Sequence, residues 1–409
     1  MTGRLRSLLT PEFLRIVWVS FAAVAAGFFL FPAAPFRLRG LGAPPAAAGW
    51  FLGGLTYGSA VAAAWTGGLS DVFGRRRVLA SAGALLAALA IVYAFVPDWR
   101  VLVAFSIPHG VVWSALLTAC NSEVVRTVPE ARRAEGIAYY GLAGNLAIAV
   151  APAAGIWLLD RSWPALCALI ALLDLAVALL ALRLSPDPPV APGWLARLAP
   201  HRAIDFRTLR VAAALLLASF GYGGLTSFAA LLAEERGIAP KGIFFTAFAG
   251  TVVCVRPFVA PWLDRRGPRR ALPAAFLVVT AGLAVAGLPT AAWHLVAAAV
   301  VYGAGFSLLG PAFMTWTIDN VDGQRRGAAF GALLAAFDLG IGSGSIVMGT
   351  LVERLGFAGG FGVAALVSLA AWPYLLWAER RSGFSRRQAR HGESGAAEDA
   401  LEPLDPQLG

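Results

Sequence analysis

Charged residues are scarce in this sequence. Asp, Glu, Lys and Arg make up 14% of its 409 residues, whereas 58% are hydrophobic. A soluble globular protein carries about 25% charged residues, because polar side chains must cover its surface. This composition excludes an ordinary soluble domain and predicts an all-α membrane protein with many spanning helices.

Lysine and cysteine are also rare, and the few that occur lack the spacing of several common kinds of site. The one lysine, Lys241, follows Pro240 instead of closing a glycine-rich loop, so the sequence has no P-loop ATP site of the usual form. Cys120, Cys167 and Cys254 lie in apolar stretches without paired spacing, which excludes a disulfide framework and a zinc site. No Ser-His-Asp order or metal cluster appears, so we expect neither an enzyme nor a bound cofactor.

The net charge of +10 raises the alternative of a nucleic-acid partner. The arginines are spread over short loops between apolar runs, whereas a nucleic-acid-binding domain gathers them on one soluble face. Positive loops are held on the cytoplasmic side of a membrane. We therefore predict a lipid bilayer, not nucleic acid, as the partner, with both termini cytoplasmic.

Twelve apolar runs have the length of about 20 residues that a spanning helix needs. Numbered as spans 1 to 12, they cover about 13–36, 46–69, 78–97, 100–125, 136–159, 163–183, 208–233, 241–263, 270–289, 293–319, 327–352 and 357–379. The proline-rich stretch 184–210 separates spans 6 and 7 and is predicted to be a cytoplasmic linker. The polar tail 380–409 is predicted to be disordered.

The two sets of six spans are related by a shift of 193 residues. Asp71 matches Asp264, because 264 − 71 = 193, and Gly110 matches Gly303 by the same shift. Repeats of this kind in a membrane protein point to a transporter. The predicted domains are 1–183 and 211–379, joined by the linker.

The stretch 67–77, GGLSDVFGRRR, carries a recognisable pattern of glycine, acid and arginine. It resembles the G-x-L-x-D-x-x-G-R-R loop of the major facilitator superfamily, and 260–270, APWLDRRGPRR, is a degenerate second copy. The chain is most similar to bacterial proton-coupled drug and sugar exporters of the arabinose-efflux type. The first copy supplies the expected gate residues Gly67, Asp71, Gly74, Arg75 and Arg76.

The resemblance implies twelve transmembrane helices in two pseudo-symmetric six-helix bundles, in a bacterial inner (plasma) membrane. Spans 1, 4, 7 and 10 would line a central cavity, and spans 2, 5, 8 and 11 would join the halves. Small residues that let helices pack closely agree with such contacts. They are Gly53, Gly54 and Gly58 in span 2, and Gly340, Gly342, Gly344 and Gly349 in span 11.

Ionisable residues inside the spans are functional candidates, since each costs about 2.5 to 3.5 kcal/mol to insert. Asp338 in span 11 and Arg256 in span 8 lie at similar depths and are placed to pair. Asp338 would then bind a proton or a cationic substrate; the alternative is a structural ion pair. Asn145 is the repeat equivalent of Asp338, because 338 − 145 = 193.

Two further ionisable residues, His109 and Asp174, lie within spans 4 and 6. The related exporters carry R-x-x-x-G in span 4, but here Ser106 takes the place of the arginine. His109 is then the titratable candidate on that span, against the alternative of a packed neutral histidine. For Asp174 we favour a structural or inter-subunit role, with a second proton site as the alternative.

Span 5 contains Pro152 and Gly155, in a stretch that resembles the G-P-x-x-G antiporter motif with Ala151 in place of the first glycine. The resemblance favours export, and a simple packing kink is the alternative.

The gate residues predict a cytoplasmic latch. Asp71 would face the N-terminus of span 11, where the helix dipole favours an anion, and Arg75 would reach Glu123. In the second copy, Asp264, Gly267 and Arg269 would act together with Asp319. The alternative is that these charges only fix topology.

Aromatic side chains predict an apolar cavity for an amphipathic molecule, although such residues are more often packing. The candidates are Phe28, Trp113, Tyr222 and Phe306.

We therefore expect a monomeric, proton-coupled exporter of a small organic molecule. The alternatives are an importer or facilitator of a sugar or organic acid, and a non-transporting sensor that acts through its tail.

Overall fold

The computed structural model describes residues 10–129, 132–186, 206–288, 291–321 and 326–382. Every regular element in these ranges is a helix. The helices are α1 (Pro11–Leu30), α2 (Ala34–Gly40), α3 (Ala46–Phe73), α4 (Arg75–Phe95), α5 (Trp99–Thr127), α6 (Arg133–Leu159), α7 (Trp163–Ala181), α8 (Phe206–Glu235), α9 (Ile243–Arg266), α10 (Pro268–Ala286), α11 (Ala292–Asn320) and α12 (Arg326–Ser382).

Nine stretches of the described residues are long and apolar enough to cross a membrane. One of them, Gly331–Arg381, has 51 residues, which at about 1.5 Å per residue is more than twice the thickness of a bilayer core. It breaks at Gly356, where φ is 70°, and therefore holds two spans. With α3 (28 residues) and α9 (24 residues), the described chain has the twelve predicted spans.

The buried apolar side chains form two large clusters. One draws almost entirely on α1–α7 and the other almost entirely on α8–α12. We call these sets of helices the first half and the second half. The domain boundaries stay a prediction, and most of the linker and of the tail lies outside the described residues.

The halves meet where α3 packs against α12. A Cβ added to Gly53 would run into Ile346, and one added to Gly349 would lie 2.8 Å from the Cα of Ala46. These glycines, with Gly342, join the halves as expected. The other four glycines named for this contact serve packing within one half: Gly54 and Gly58 face α5, and Gly340 and Gly344 face α8.

The molecule has two opposite faces. The α2 face carries α2, the turn at 160–162, the loop 236–242 and Gly356. The Gly74 face carries Gly74, residues 128–129 and Gly267. Each spanning helix runs from one face to the other, so a residue's distance along its helix gives its depth.

Candidate functional site

Asp338 joins the two halves at the middle of the membrane-spanning region. It is 12 residues from the start of α12 (338 − 326), or about 18 Å along the helix axis. The Ser59 hydroxyl of α3 donates a 2.7 Å hydrogen bond to its Oδ2. Close by, the Tyr57 and Ser343 hydroxyls lie 2.8 Å apart. An acidic side chain is thereby held across the contact between the halves.

A second polar contact crosses between the halves from α6 to α9. Arg256 Nη1 donates to Asn145 Oδ1 over 3.4 Å. Asn145 is 12 residues from the start of α6 (145 − 133), the same depth as Asp338 in α12. Arg256 is an exposed residue, and a charge at this depth needs water or a polar partner, since lipid would not solvate it.

These two contacts correct one prediction. Asp338 and Arg256 do not form an ion pair within 4 Å, because each takes a neutral partner from the opposite half. Asn145 and Asp338 are repeat equivalents, but their partners are not, because the shift of 193 places Val252 at the position of Ser59. Only the contact at Asp338 carries an acid.

Aromatic rings form a wall next to these contacts. Tyr222 stacks on Phe306 with ring centroids 4.7 Å apart, and both lie within about 6 Å of Phe248. A narrow pocket brings Phe28 of the first half to the same side of Tyr222. Trp113 reaches Phe28 only through Phe31, which contacts both rings. The structure therefore brings together three of the four predicted cavity aromatics.

Charged residues join the halves on the α2 face. Lys241 Nζ of the second half is 2.9 Å from Asp160 Oδ1 of the first, and 3.0 Å from Glu234 Oε1. Arg39 of the first half pairs with Glu234. Lys241 also lies 5.4 Å from the centre of the Phe36 ring. Among the described residues, ion pairs between the halves occur only on this face.

The family model of the Major Facilitator Superfamily matches residues 16–242 and 211–404, which together are most of the chain. The chain belongs to the major facilitator superfamily. Two transporters are similar to this chain in sequence. The MFS-type transporter YhhS of Escherichia coli (strain K12) is 28% identical over 241 residues, 58% of each chain. The MFS-type transporter PA14_38730 of Pseudomonas aeruginosa (strain UCBPP-PA14) is 31% identical over 168 residues, 41% of this chain and 42% of that one. The chain therefore aligns with 58% of the length of the first relative and 42% of the length of the second.

Solved structures of transporters share the fold of this chain. The nucleoside transporter NupG superposes with a TM-score of 0.70 and 14% identity, over 90% of this chain and 99% of that chain. The human organic anion transporter MFSD10 (TETRAN) gives 0.64 and 18%, over 90% and 100%. These likenesses confirm the predicted all-α transporter fold.

The two copies of the gate loop adopt the same backbone turn in this protein. Gly74 has φ 86° and ψ 141°, and Gly267, at a shift of 193, has φ 70° and ψ 163°. Gly67 lies within α3. The side chain of Asp71 lies outside the described residues, so the contact proposed for Asp71 stays a prediction. Arg75 and Arg76 begin α4 directly after the turn.

Glu123, the predicted acidic partner of Arg75, has a basic neighbour that the sequence did not indicate. Glu123 is buried and accepts hydrogen bonds of 3.0 and 2.5 Å from Arg126 in its own helix, and Arg126 also pairs with Glu12 over 3.1 Å. The pairing of Arg75 with Glu123 remains a prediction. In the second copy, Asp264, Arg269 and Asp319 are exposed at the Gly74 face.

His109 and Asp174 both point into the first half. The His109 ring is 2% exposed and stacks on Tyr93 of α4 at 5.8 Å. Asp174 is 1% exposed and lies on the part of α7 that packs on Gly83 of α4. The structure does not bring His109 to the polar contacts between the halves, because the rotation of α5 turns it toward α4.

Pro152 and Gly155 lie inside α6, which runs through both without ending. A Cβ on Gly155 would lie 2.8 Å from the Phe29 carbonyl of α1, and Pro152 lines the narrow pocket beside Phe28 and Tyr222. These residues therefore set the close approach of α6 to α1 next to the aromatic wall.

Proposed function

We propose that this protein is a proton-coupled exporter of a small organic molecule, working as a monomer by alternating access in a bacterial plasma membrane. The observation that carries the proposal is the hydrogen bond from Ser59 to Asp338. It places a carboxylate at mid-depth with its partner in the opposite half. A proton taken up by Asp338 therefore changes a bond between the halves, which is what coupling to alternating access requires.

The ion pairs on the α2 face fit the same cycle. They hold the halves together on that face. With the predicted topology this face lies outside, so release of cargo in the proposed cycle requires these pairs to separate.

The aromatic wall favours an apolar or amphipathic cargo. Tyr222, Phe306, Phe248 and Phe28 offer ring faces and one phenol, and a site of this kind binds planar organic molecules better than phosphates.

The test is proton movement in proteoliposomes loaded with candidate lipophilic cations, sugars and metabolites. We expect a transported compound to move protons in the wild type and Asp338→Asn to abolish that signal. Asp174→Asn is the matched control, because it removes a second membrane-embedded carboxyl that lies inside one half. Exchange without any proton signal in the wild type would exclude coupling, and a loss confined to Asp174→Asn would move the proton site there.

An importer or facilitator of an organic acid is the second candidate, and Arg256 is the observation that favours it. Its guanidinium is exposed at mid-depth and contacts only a neutral amide among the described residues. It therefore has charge available for an anion. Saturable uptake of an organic acid that Arg256→Gln removes and Asp338→Asn preserves would support this candidate over export.

A further inference from the structure

A cavity of about 390 Å³ lies between the two halves on the α2 face. Its apolar wall comes from both halves: Pro35, Leu38 and Ala48 belong to the first, and Phe228, Val352 and Phe357 to the second. The volume lies within the range of about 300 to 1,000 Å³ in which proteins bind small molecules. The cavity shares no described lining residue with the narrow pocket beside the aromatic wall. Glu353 at its edge is also 15 residues beyond Asp338 (353 − 338), about 22 Å along α12.

The polar edge of this cavity is negative. Three charged residues line it: Arg39, Glu235 and Glu353. Arg39 is already paired with Glu234, and one oxygen of Glu353 accepts a 2.9 Å hydrogen bond from the backbone of Ala46. Glu235 is exposed and forms no ion pair with any described residue. Two carboxylates therefore face an apolar space with a single arginine that is itself neutralised.

The neighbouring arginines do not reverse this charge. Arg236 and Arg354 follow the two carboxylates in sequence, but neither belongs to the wall of the cavity. A ligand in the cavity would meet apolar and aromatic surface on its body and carboxylate at one end.

We propose that this cavity is a second ligand site, which binds an amphipathic organic cation with its apolar body between Leu38 of the first half and Phe357 of the second. Its charge would lie at Glu235 and Glu353. The site goes beyond the proposed function, since it does not depend on which molecule the protein transports. Carboxylates at the mouth of an apolar cavity select a cation, because an anion or a neutral analogue gains nothing from them.

Because the two walls belong to different halves, the cavity exists only while the α2 face is closed. A ligand that binds one of two conformations shifts the population toward it by its difference in affinity. The bound cation therefore holds the protein closed on the α2 face. It inhibits transport without competing with the cargo for the aromatic wall.

The test uses purified full-length protein and tetraphenylphosphonium, with binding measured by isothermal titration calorimetry. We expect Glu235→Gln with Glu353→Gln to weaken binding at least about tenfold, since both charge contacts are lost. Asp98→Asn is the matched control, because it removes a carboxylate from the same face outside the cavity and should leave the affinity unchanged. Glu235→Gln alone alters only an exposed side chain, so it reports an intermediate loss in a chain whose fold is unaffected.

Two further measurements separate this site from the transport site. Tetraphenylborate has the same shape and the opposite charge, and we expect it to bind at least about tenfold more weakly than the cation. Phe306→Ala changes the aromatic wall, and the ring contacts of Phe306 lie within the second half, so this variant should leave the affinity for the cation intact. Equal affinity of wild type and the double variant would overturn the site. Loss of binding in Phe306→Ala alone would also overturn it, by placing the cation at the aromatic wall while leaving the export proposal standing.

Discussion

Lys241 Nζ in the second half lies 2.9 Å from Asp160 Oδ1 in the first, and this lysine is the only one in the chain. It also contacts Glu234, which binds Arg39 of the first half. A single ammonium group thus links the charged residues that close the α2 face. Any motion that opens this face must separate Lys241 from Asp160.

Replacing Lys241 by Gln should favour the conformation that is open on the α2 face. Exposed ion pairs contribute about 0.2 to 1 kcal/mol each, and only the pair with Asp160 joins the halves, so its loss should shift the equilibrium about 1.4- to fivefold. Single-molecule energy transfer between labels on the two halves at this face measures the shift. Arg161→Gln is the control, because Arg161 bonds only to Trp157 of its own half. An equal shift in both variants would contradict the role of Lys241.

Introducing a carboxylate beside Arg256 should slow transport. Asn145→Asp changes a neutral contact between the halves into an ion pair, which stabilises the closed conformation that contains it. We expect about a tenfold lower exchange rate in proteoliposomes. Arg256→Gln in the same chain removes the ion pair and should restore most of the rate. A rate that stays low in the double variant would show that the added acid acts in another way.

Gly110→Ala should destabilise the first half. A Cβ at this position runs into the backbone carbonyl of Leu55 in α3, and forced overpacking of this kind costs about 1 to 3 kcal/mol. The readout is a lower Tm in detergent. Gly144→Ala serves for comparison, since its Cβ meets nothing within 4 Å and a helical alanine is about 1 kcal/mol better than glycine. Similar Tm values for both variants would contradict the close approach of α3 and α5.

Gly74→Ala should strain the turn between α3 and α4. The φ of 86° lies in a region that side chains with a Cβ rarely adopt, and occupying it costs about 1 to 3 kcal/mol. We expect a lower Tm and a lower yield of folded protein. Gly40→Ala is the comparison, because it has space for a Cβ and no positive φ. An unchanged Tm for Gly74→Ala would mean that the turn adapts to the larger residue.

The sequence was sufficient for the helices and for the depth of each candidate residue, but not for most contacts. Depth follows from the number of residues along a helix, and by that count Asp338, Arg256 and Asn145 lie at similar depths. Partners depend on the rotation of each helix about its axis, about 100° per residue, and only packing fixes that angle. The rotation of α12 turns Asp338 to Ser59, and that of α5 turns His109 to Tyr93.

Residues on the α2 face were missed for a related reason. Arg39, Glu234 and Asp160 lie in different loops and helix ends, and nothing in their spacing indicates that they meet. Lys241 had one available signal, as the only lysine in the chain, but that rarity was informative only about the absence of an ATP site.

Asn145 and Asp338 occupy equivalent places in the two copies of an ancestral repeat, yet only one of them carries an acid. Codons for asparagine and aspartate differ by one base, so a single point mutation is enough to add or remove the carboxyl at either place. At each of these two equivalent positions, one nucleotide therefore decides whether the mid-depth side chain is a neutral amide or an acid.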